Sequence, residues 1–208
     1  FQISNPVLAS LKEAIPISNN SKDQKVNKSD DWSFWSEGSV SVGRIGDTTS
    51  SLAKDINSNG ITIGMDSQLN NEILHGYTFS YVNDDVDVGT SGTSLDIDSY
   101  SISKYVAFHQ SEDKFVEGNV GISKLDLKHI RKSGTNILHG DRDGKQIYGS
   151  INYIASIKSN NFTISPSVKV NLSHTVLQDY SETGTNALNY KKQNIQTGTL
   201  YTGINFES

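Results

Sequence analysis

From Trp32 to Phe206 the sequence repeatedly alternates apolar and polar residues over stretches of about ten residues, a length typical of membrane-spanning β-strands. The pattern is clearest from Asn161 to Ser173, where the apolar side chains share one parity and the Ser, Thr, Asn and Lys side chains share the other. A β-strand points successive side chains to opposite faces, so each stretch has one apolar and one polar face. The same residues would be mixed on every face of a helix. The alternation therefore predicts strands that meet water on one face only.

Eight such stretches, the first at 32–43 and the last at 194–206, are joined by connections that are alternately short and long. The short connections are polar and lie near Asn70-Asn71, Gln110 to Asp113 and Ser159-Asn160. The long ones begin after Gly43, Asn83, Leu127 and Thr175 and run for about ten to twenty residues. Outer-membrane barrels combine apolar-out, polar-in strands with short periplasmic turns and longer extracellular loops. We therefore predict an all-β fold, an antiparallel up-and-down outer-membrane β-barrel. A soluble β-sandwich with one wet face is the alternative.

The strands contain one charged residue on an apolar face and a set of aromatic residues near the short turns. One predicted strand, 95–108, carries Lys104 on its apolar parity, where a charge at the bilayer midplane costs about 2–4 kcal/mol. A β-bulge that shifts the parity, or snorkelling of the lysine stem, would relieve that cost. An aromatic girdle is predicted at the short-turn ends of the strands, formed by Tyr77, Tyr81, Tyr105, Phe108, Phe115, Tyr148 and Phe162.

The chain divides into two parts, a leader at residues 1–31 and a barrel domain at residues 32–208. In the leader, Asn5 and Pro6 start a short amphipathic helix that Pro16 ends, and a polar linker follows. The apolar fraction of 34% suits a barrel, which needs only every second strand residue to be apolar. The absence of cysteine suits export through an oxidising periplasm, and the net charge of −5 argues against a nucleic-acid partner.

No motif points to catalysis, to a metal or to a cofactor. The run Asp141-Arg142-Asp143-Gly144 lacks the rest of a calcium loop and is expected to form a turn at a loop tip. The five histidines show no metal-ligand spacing. We therefore expect a protein that is not an enzyme, with no metal and no cofactor.

The barrel domain resembles the β-domain of autotransporters. The resemblance rests on six segments in the right order, 32–35 (Trp-Ser-Phe-Trp), 38–43, 61–66, 76–81, 115–121 with Arg131 beyond it, and 180–184 (Tyr-Ser-Glu-Thr-Gly). It implies a barrel of about twelve strands that exports a covalently attached N-terminal passenger to the surface of a Gram-negative cell by type V secretion. It also implies a helix that threads the pore before the first strand. Partners would be outer-membrane lipid and the outer-membrane assembly machinery.

The sequence departs from that family at its end. The family's barrel continues for about four more strands and ends on an aromatic residue, whereas this sequence stops at Ser208. Because an open sheet edge cannot face lipid, the eight strands are expected either to belong to a longer parent or to close on themselves. A barrel of about eight strands is filled by side chains and leaves no room for a helix.

The expected function is physical: a lumen lined by small and polar groups offers a water-filled path to an extended chain. The alternative function is a stand-alone small barrel that acts as a surface adhesin through its loops; a soluble binding module is the third. The lumen-lining residues predicted from parity are Thr62, Gly64, Thr78, Ser80, Asn119, Gly121, Ser150, Asn152, Thr163, Ser165 and Ser167.

Overall fold

The computed structural model describes residues 32–49, 52–111, 113–159 and 162–207. The predicted N-terminal helix and the linker before Trp32 lie outside these residues. All the regular elements in the described part of the chain are β-strands. They are β1 (Ser33–Ile45), β2 (Lys54–Gln68), β3 (Ile73–Val88), β4 (Thr93–Ser111), β5 (Lys114–Ser133), β6 (Asn136–Ala155), β7 (Ile157–Ser159), β8 (Phe162–Leu177), β9 (Tyr180–Ser181), β10 (Asn189–Tyr190) and β11 (Gln193–Glu207).

The long strands form one antiparallel sheet in the order β1-β2-β3-β4-β5-β6-β8-β11, with β7 added beside β8. Each long strand therefore pairs with the next long strand along the chain. A single sheet with this meander order confirms the predicted all-β, antiparallel, up-and-down fold. Among the described residues β1 and β11 each pair on one side only, so the sheet has two open edges.

The two faces of the sheet differ as the alternation predicts. On β2, for example, Thr62 is 2% exposed, whereas its neighbours Ile61 and Ile63 are more than half exposed. The outward apolar side chains line up across the strands because their Cα atoms are partners in the register. One continuous row crosses five strands through Ile63, Phe79, Ile102, Ile122 and Ile147. The outer face thus carries an apolar band that suits hydrocarbon.

The expectation of long loops is wrong for two of the four long connections. Residues 89–92 alone join β3 to β4, and residues 134–135 alone join β5 to β6. Gly89, Gly92 and Gly134 have positive φ at these tight turns, which glycine adopts without strain. The strands instead continue: β5 has 20 residues, about 65 Å at a strand's rise, which is more than twice the height of an outer-membrane apolar band. In these extensions the apolar side chains switch to the inner face, where Val86, Ile97, Leu125, Leu127 and Leu138 are buried. The apolar outer face that marks a membrane strand therefore ends although the strand continues.

The short connections lie where they were predicted. β2 and β3 are joined by residues 69–72, where the Asn70 Oδ1 atom accepts hydrogen bonds from the backbone N–H groups of Glu72 and Ile73. This Asx-type turn satisfies two backbone donors with one side chain. Residues 112–113 join β4 to β5. These two turns fall at one end of the sheet, which we call the turn end. The other end, which contains the tight turns at 89–92 and 134–135, is the loop end.

Candidate functional site

The sheet curves around a cavity of about 920 Å³ on its polar face. Side chains from β3, β4, β5, β6, β8 and β11 line this cavity, so six strands contribute to one wall. Most of the lining side chains are hydroxyl- or amide-bearing, and the charged ones include Glu117, Arg142 and Lys169. The polar face is therefore the inner face of a trough that encloses this cavity.

All eleven residues predicted to line the lumen lie on this inner face. Six polar side chains are buried, Gly64 and Gly121 are buried, and three residues on β8 are half-buried. Of the eleven, Ser80, Asn152 and Ser167 line the cavity itself. The buried polar side chains are Thr62, Thr78, Ser80, Asn119, Ser150 and Asn152, and the half-buried residues are Thr163, Ser165 and Ser167.

Hydrogen bonds between neighbouring strands satisfy many of these inner side chains. The Ser150 hydroxyl donates to the Asn119 Oδ1 atom over 3.0 Å, and the Asn152 amide donates to the buried Glu117 carboxylate over 2.8 Å. Hydroxyl pairs do the same between other strands, at 2.6–2.9 Å in Thr62–Ser80, Thr78–Ser103 and Ser101–Ser123. A polar group that is already hydrogen-bonded to the wall gains little from a passing chain. Many polar groups of the inner wall are therefore satisfied by neighbouring strands.

An aromatic cluster fills the inner face near the turn end. The Asp66 carboxylate accepts hydrogen bonds from the Trp35 indole N–H (3.0 Å) and the Tyr105 hydroxyl (2.7 Å). Tyr105 is only 1% exposed. The two rings fit because glycines lie beneath them: a Cβ atom on Gly64 would come within 2.3 Å of the Trp35 ring, and one on Gly76 within 2.4 Å of the Tyr105 ring. The cluster narrows the trough at this end.

This cluster corrects the predicted aromatic girdle. Tyr105 is turned to the inner face, and the Tyr148 ring also lies inside, over Gly121, where an added Cβ would meet it at 2.5 Å. The sequence indicates this placement, because Tyr105 and Tyr148 lie on the polar parity of their strands, opposite to Ile102 and Ile147. The register adds the space that the two rings need. Gly76 is the register partner of Tyr105, and Gly121 is the partner of Tyr148, so each inward ring has a glycine directly across the strand pair.

At the loop end, residues 178–192 fold back against the inner face of β5 and β6; we call them the folded connection. Arg142 ties its two ends together, because the guanidinium donates to the backbone carbonyls of Gln178 (2.6 Å) and Lys191 (3.0 Å). The Tyr180 and Tyr190 rings stack at 4.7 Å, and Tyr180 also packs over the Arg142 guanidinium. Arg142 also lines the cavity, so it links the folded connection to the cavity wall at this end.

A second contact fixes the tip of the folded connection. Arg131 on β5 forms a two-fold ion pair with Glu182, with N–O distances of 2.6 and 2.8 Å, and the Glu182 side chain is 2% exposed. The Leu188 backbone N–H donates to the same carboxylate. Hydrogen bonds from Arg131, and then that from Leu188, lower the pKa of the Glu182 carboxyl to about 2. Glu182 is thus ionised and held in place over the ordinary pH range.

The segment Asp141-Arg142-Asp143-Gly144 does not form the expected turn. It lies within β6 and pairs with β5. The short turn at 134–135 lies beyond it, because the hairpin is longer than the alternation suggested. Across the described part of the chain, no group of three or more His, Asp or Glu side chains is placed to hold a metal ion.

Lys104 lies on the outer face, as its parity indicates, and no bulge moves it. The register between β4 and β5 is continuous through this residue and shifts only between His109 and Ser111. The Lys104 ammonium instead lies over the Tyr77 ring, 5.5 Å from its centre. The charge therefore stays on the apolar face.

Comparison with known protein families decides what this arrangement is. A family described as "Autotransporter beta-domain" matches residues 34–208. The chain belongs to the autotransporter β-domain family. These domains are the translocator barrels of type V secretion and reside in the outer membrane. No curated protein matches this chain. In the described part of the chain, no helix is long and apolar enough to cross a membrane.

Two solved structures share the fold. The translocator domain of the autotransporter NalP from Neisseria meningitidis has a TM-score of 0.63 and 10% sequence identity, over 84% of this chain and 58% of that one. The unliganded ferric citrate transporter FecA has a TM-score of 0.51 and 8% identity, over 84% of this chain and 30% of that one. The chain thus spans a little over half the length of the NalP domain. At such identities the likeness concerns the fold alone.

Proposed function

We propose that this autotransporter β-domain carries a covalently attached N-terminal passenger across the bacterial outer membrane. The observation that carries the proposal is the inner wall, whose polar side chains are hydrogen-bonded to one another while the outer face is apolar. An extended polypeptide needs a wet path without strong binding sites, and the hydrogen bonds between inner side chains support such a path. Lumen lining by the eleven inner residues named above is part of the proposal, and no catalytic step is included.

The two open edges of the sheet must be paired before this function is possible in a membrane. Unpaired backbone N–H and C=O groups cost several kcal/mol each in hydrocarbon, so β1 and β11 need partner strands in a membrane. The chain covers 58% of the NalP domain, which supports a parent barrel with more strands than the eight in this sheet. We therefore propose that further strands of the parent close the barrel, that the assembly machinery inserts it, and that lipid surrounds the apolar band.

Surface labelling of an epitope tests the function. The epitope is fused before Phe1 in the parent protein, and intact cells are probed with a membrane-impermeant antibody. We expect the epitope outside the cell when the β-domain is intact and inside when residues 32–207 are deleted. Insertion is checked separately by the shift in gel mobility between unheated and heated samples. An inserted parent whose epitope stays inside would overturn the proposal.

A further inference from the structure

The outward residues of β4 define the depth of Lys104 in the apolar band. Five successive outward positions are apolar except for the middle one, in the order Tyr100, Ile102, Lys104, Val106 and Phe108. The register partners of Lys104 on both sides, Tyr77 and Val120, are exposed on the same face. Phe108 lies at the turn end of β4. With the usual strand tilt, Lys104 therefore lies about 10 Å deeper in the membrane than Phe108. An ammonium at that depth needs a partner.

The described residues stabilise the Lys104 charge only in part. Lys104 forms no ion pair with a carboxylate among the described residues, and its ammonium lies over the face of the Tyr77 ring. A cation over an aromatic ring gains about 0.5–2 kcal/mol, less than the cost of a lysine at the midplane. Carboxylates of β3 and β4 such as Asp85 and Asp98 lie on the loop-end side of Tyr81 and Tyr100, away from the turn end.

Aromatic side chains lead from Lys104 towards the turn end. Tyr77 stacks on Trp32 with ring centres 6.2 Å apart, and Trp32 meets the His75 ring at 5.3 Å. Trp32 and Tyr77 are each more than a third exposed, and His75 pairs in register with Val106, one outward position nearer the turns than Lys104. The indole, phenol and imidazole groups can all donate hydrogen bonds. Side chains of this kind sit at headgroup level in membranes.

These four side chains, Trp32, His75, Tyr77 and Lys104, are the Lys104 patch. Resting on the proposed membrane location, we infer that the Lys104 patch binds the phosphate of an anionic glycerophospholipid from the leaflet at the turn end of the sheet. The lipid phosphate neutralises the ammonium, and the aromatic groups hold the headgroup below its usual level. Charge complementarity selects an anionic lipid, because one phosphate then serves a cation that the protein leaves without a counter-ion.

Lipid retention tests the inference. The full-length parent is placed in bilayer discs of phosphatidylethanolamine and phosphatidylglycerol, and lipids kept by the protein are counted by native mass spectrometry during stepwise delipidation. Lys104→Gln is expected to weaken phosphatidylglycerol retention about fivefold, the effect of one lysine near an anionic surface, while Lys104→Arg retains it. Lys124→Gln is the matched control, since Lys124 is also exposed but is paired with Asp126 at 2.8 Å.

Each outcome separates the alternatives. Equal retention in the wild type and Lys104→Gln, or equal loss in Lys124→Gln, would overturn the lipid site. So would full displacement of phosphatidylglycerol by millimolar inorganic phosphate in detergent, because the site would then hold free phosphate. Tyr77→Leu keeps the lysine but removes the ring, so we expect it to lose part of the phosphatidylglycerol retention. This variant measures the aromatic contribution to the site separately. Folding of every variant is checked by gel mobility, and the assay does not depend on passenger display, so the two proposals fail separately.

Discussion

At the scale of single residues, parity counting places side chains well where a strand has one wet and one apolar face. Thr62, Asn119 and Ser167, on three different strands, all lie on the inner face to which their parity assigns them. The girdle prediction did not apply this counting to Tyr105 and Tyr148, which lie on the polar parity of their strands and therefore point inside. What a single strand does not reveal is the register, which places Gly76 and Gly121 opposite the two rings and leaves room for them.

Two neighbouring residues of β6 test the face assignment. Ile147 is about half exposed in the outer apolar row, whereas Gln146 lines the cavity and donates a 2.7 Å hydrogen bond to Thr175. We expect Ile147→Arg to lower the free energy of unfolding by about 2–4 kcal/mol, because the charge meets lipid. Gln146→Arg should cost about 1 kcal/mol, for one lost hydrogen bond. Urea unfolding of the bilayer-reconstituted parent measures both, and equal costs would show that the faces are misassigned.

A pair of glycines tests the turn-end cluster. A methyl group on Gly64 would overlap the Trp35 ring at 2.3 Å, so Gly64→Ala is expected to destabilise the fold by about 1–3 kcal/mol. Gly38, on the adjacent strand, has nothing within 4 Å of an added Cβ, so Gly38→Ala should cost nothing. The same unfolding assay compares them. If Trp35→Leu in the Gly64→Ala background restores no stability, the close packing of these two residues is not the cause.

At the scale of elements, strand existence followed from the sequence and strand length did not. The predicted loops after Asn83 and Leu127 are strands whose apolar parity switches to the inner face, where Ile97, Leu125 and Leu138 are buried. The outer alternation that marks a membrane strand ends there, although the strand pairing continues. The folded connection was equally hidden. Its position depends on contacts between residues far apart in sequence, because Arg131 binds Glu182 across 51 residues and Arg142 binds Lys191 across 49.

The Glu182 ion pair predicts how the folded connection responds to pH. The carboxyl pKa is about 2 in the folded state against an ordinary 4.5, so its stabilising contribution is complete above about pH 4.5 and is lost as the pH falls through 2. Limited proteolysis at pH 6 should leave residues 178–192 intact in the wild type and cleave them faster in Glu182→Gln. The exposed pair Arg44–Asp55 supplies the control, and Asp55→Asn should not change cleavage within 178–192. Unchanged cleavage in Glu182→Gln would mean that the ion pair does not hold the segment.

At the scale of the whole molecule, the curved sheet has an apolar outer face and a polar inner face. The proposed function requires in addition that the passenger run along the inner face. The eight long strands place inner and outer residues next to each other in sequence, so one residue on each face can be compared within a single strand. The chain contains no cysteine, and single reporter cysteines are therefore unambiguous.

Cross-linking to a stalled passenger tests most directly whether the passenger runs along the inner face. Ser167→Cys lies on the inner face and lines the cavity, whereas Val168→Cys, the next residue, lies on the outer face and is 45% exposed. A passenger that carries one cysteine near the β-domain and a folded block to halt its export is trapped in living cells and oxidised. If the passenger runs along the inner face, we expect a disulfide adduct with Ser167→Cys and none with Val168→Cys in equally inserted barrels. Adducts with Val168→Cys, or with neither variant while the stalled passenger spans the membrane, would contradict that path.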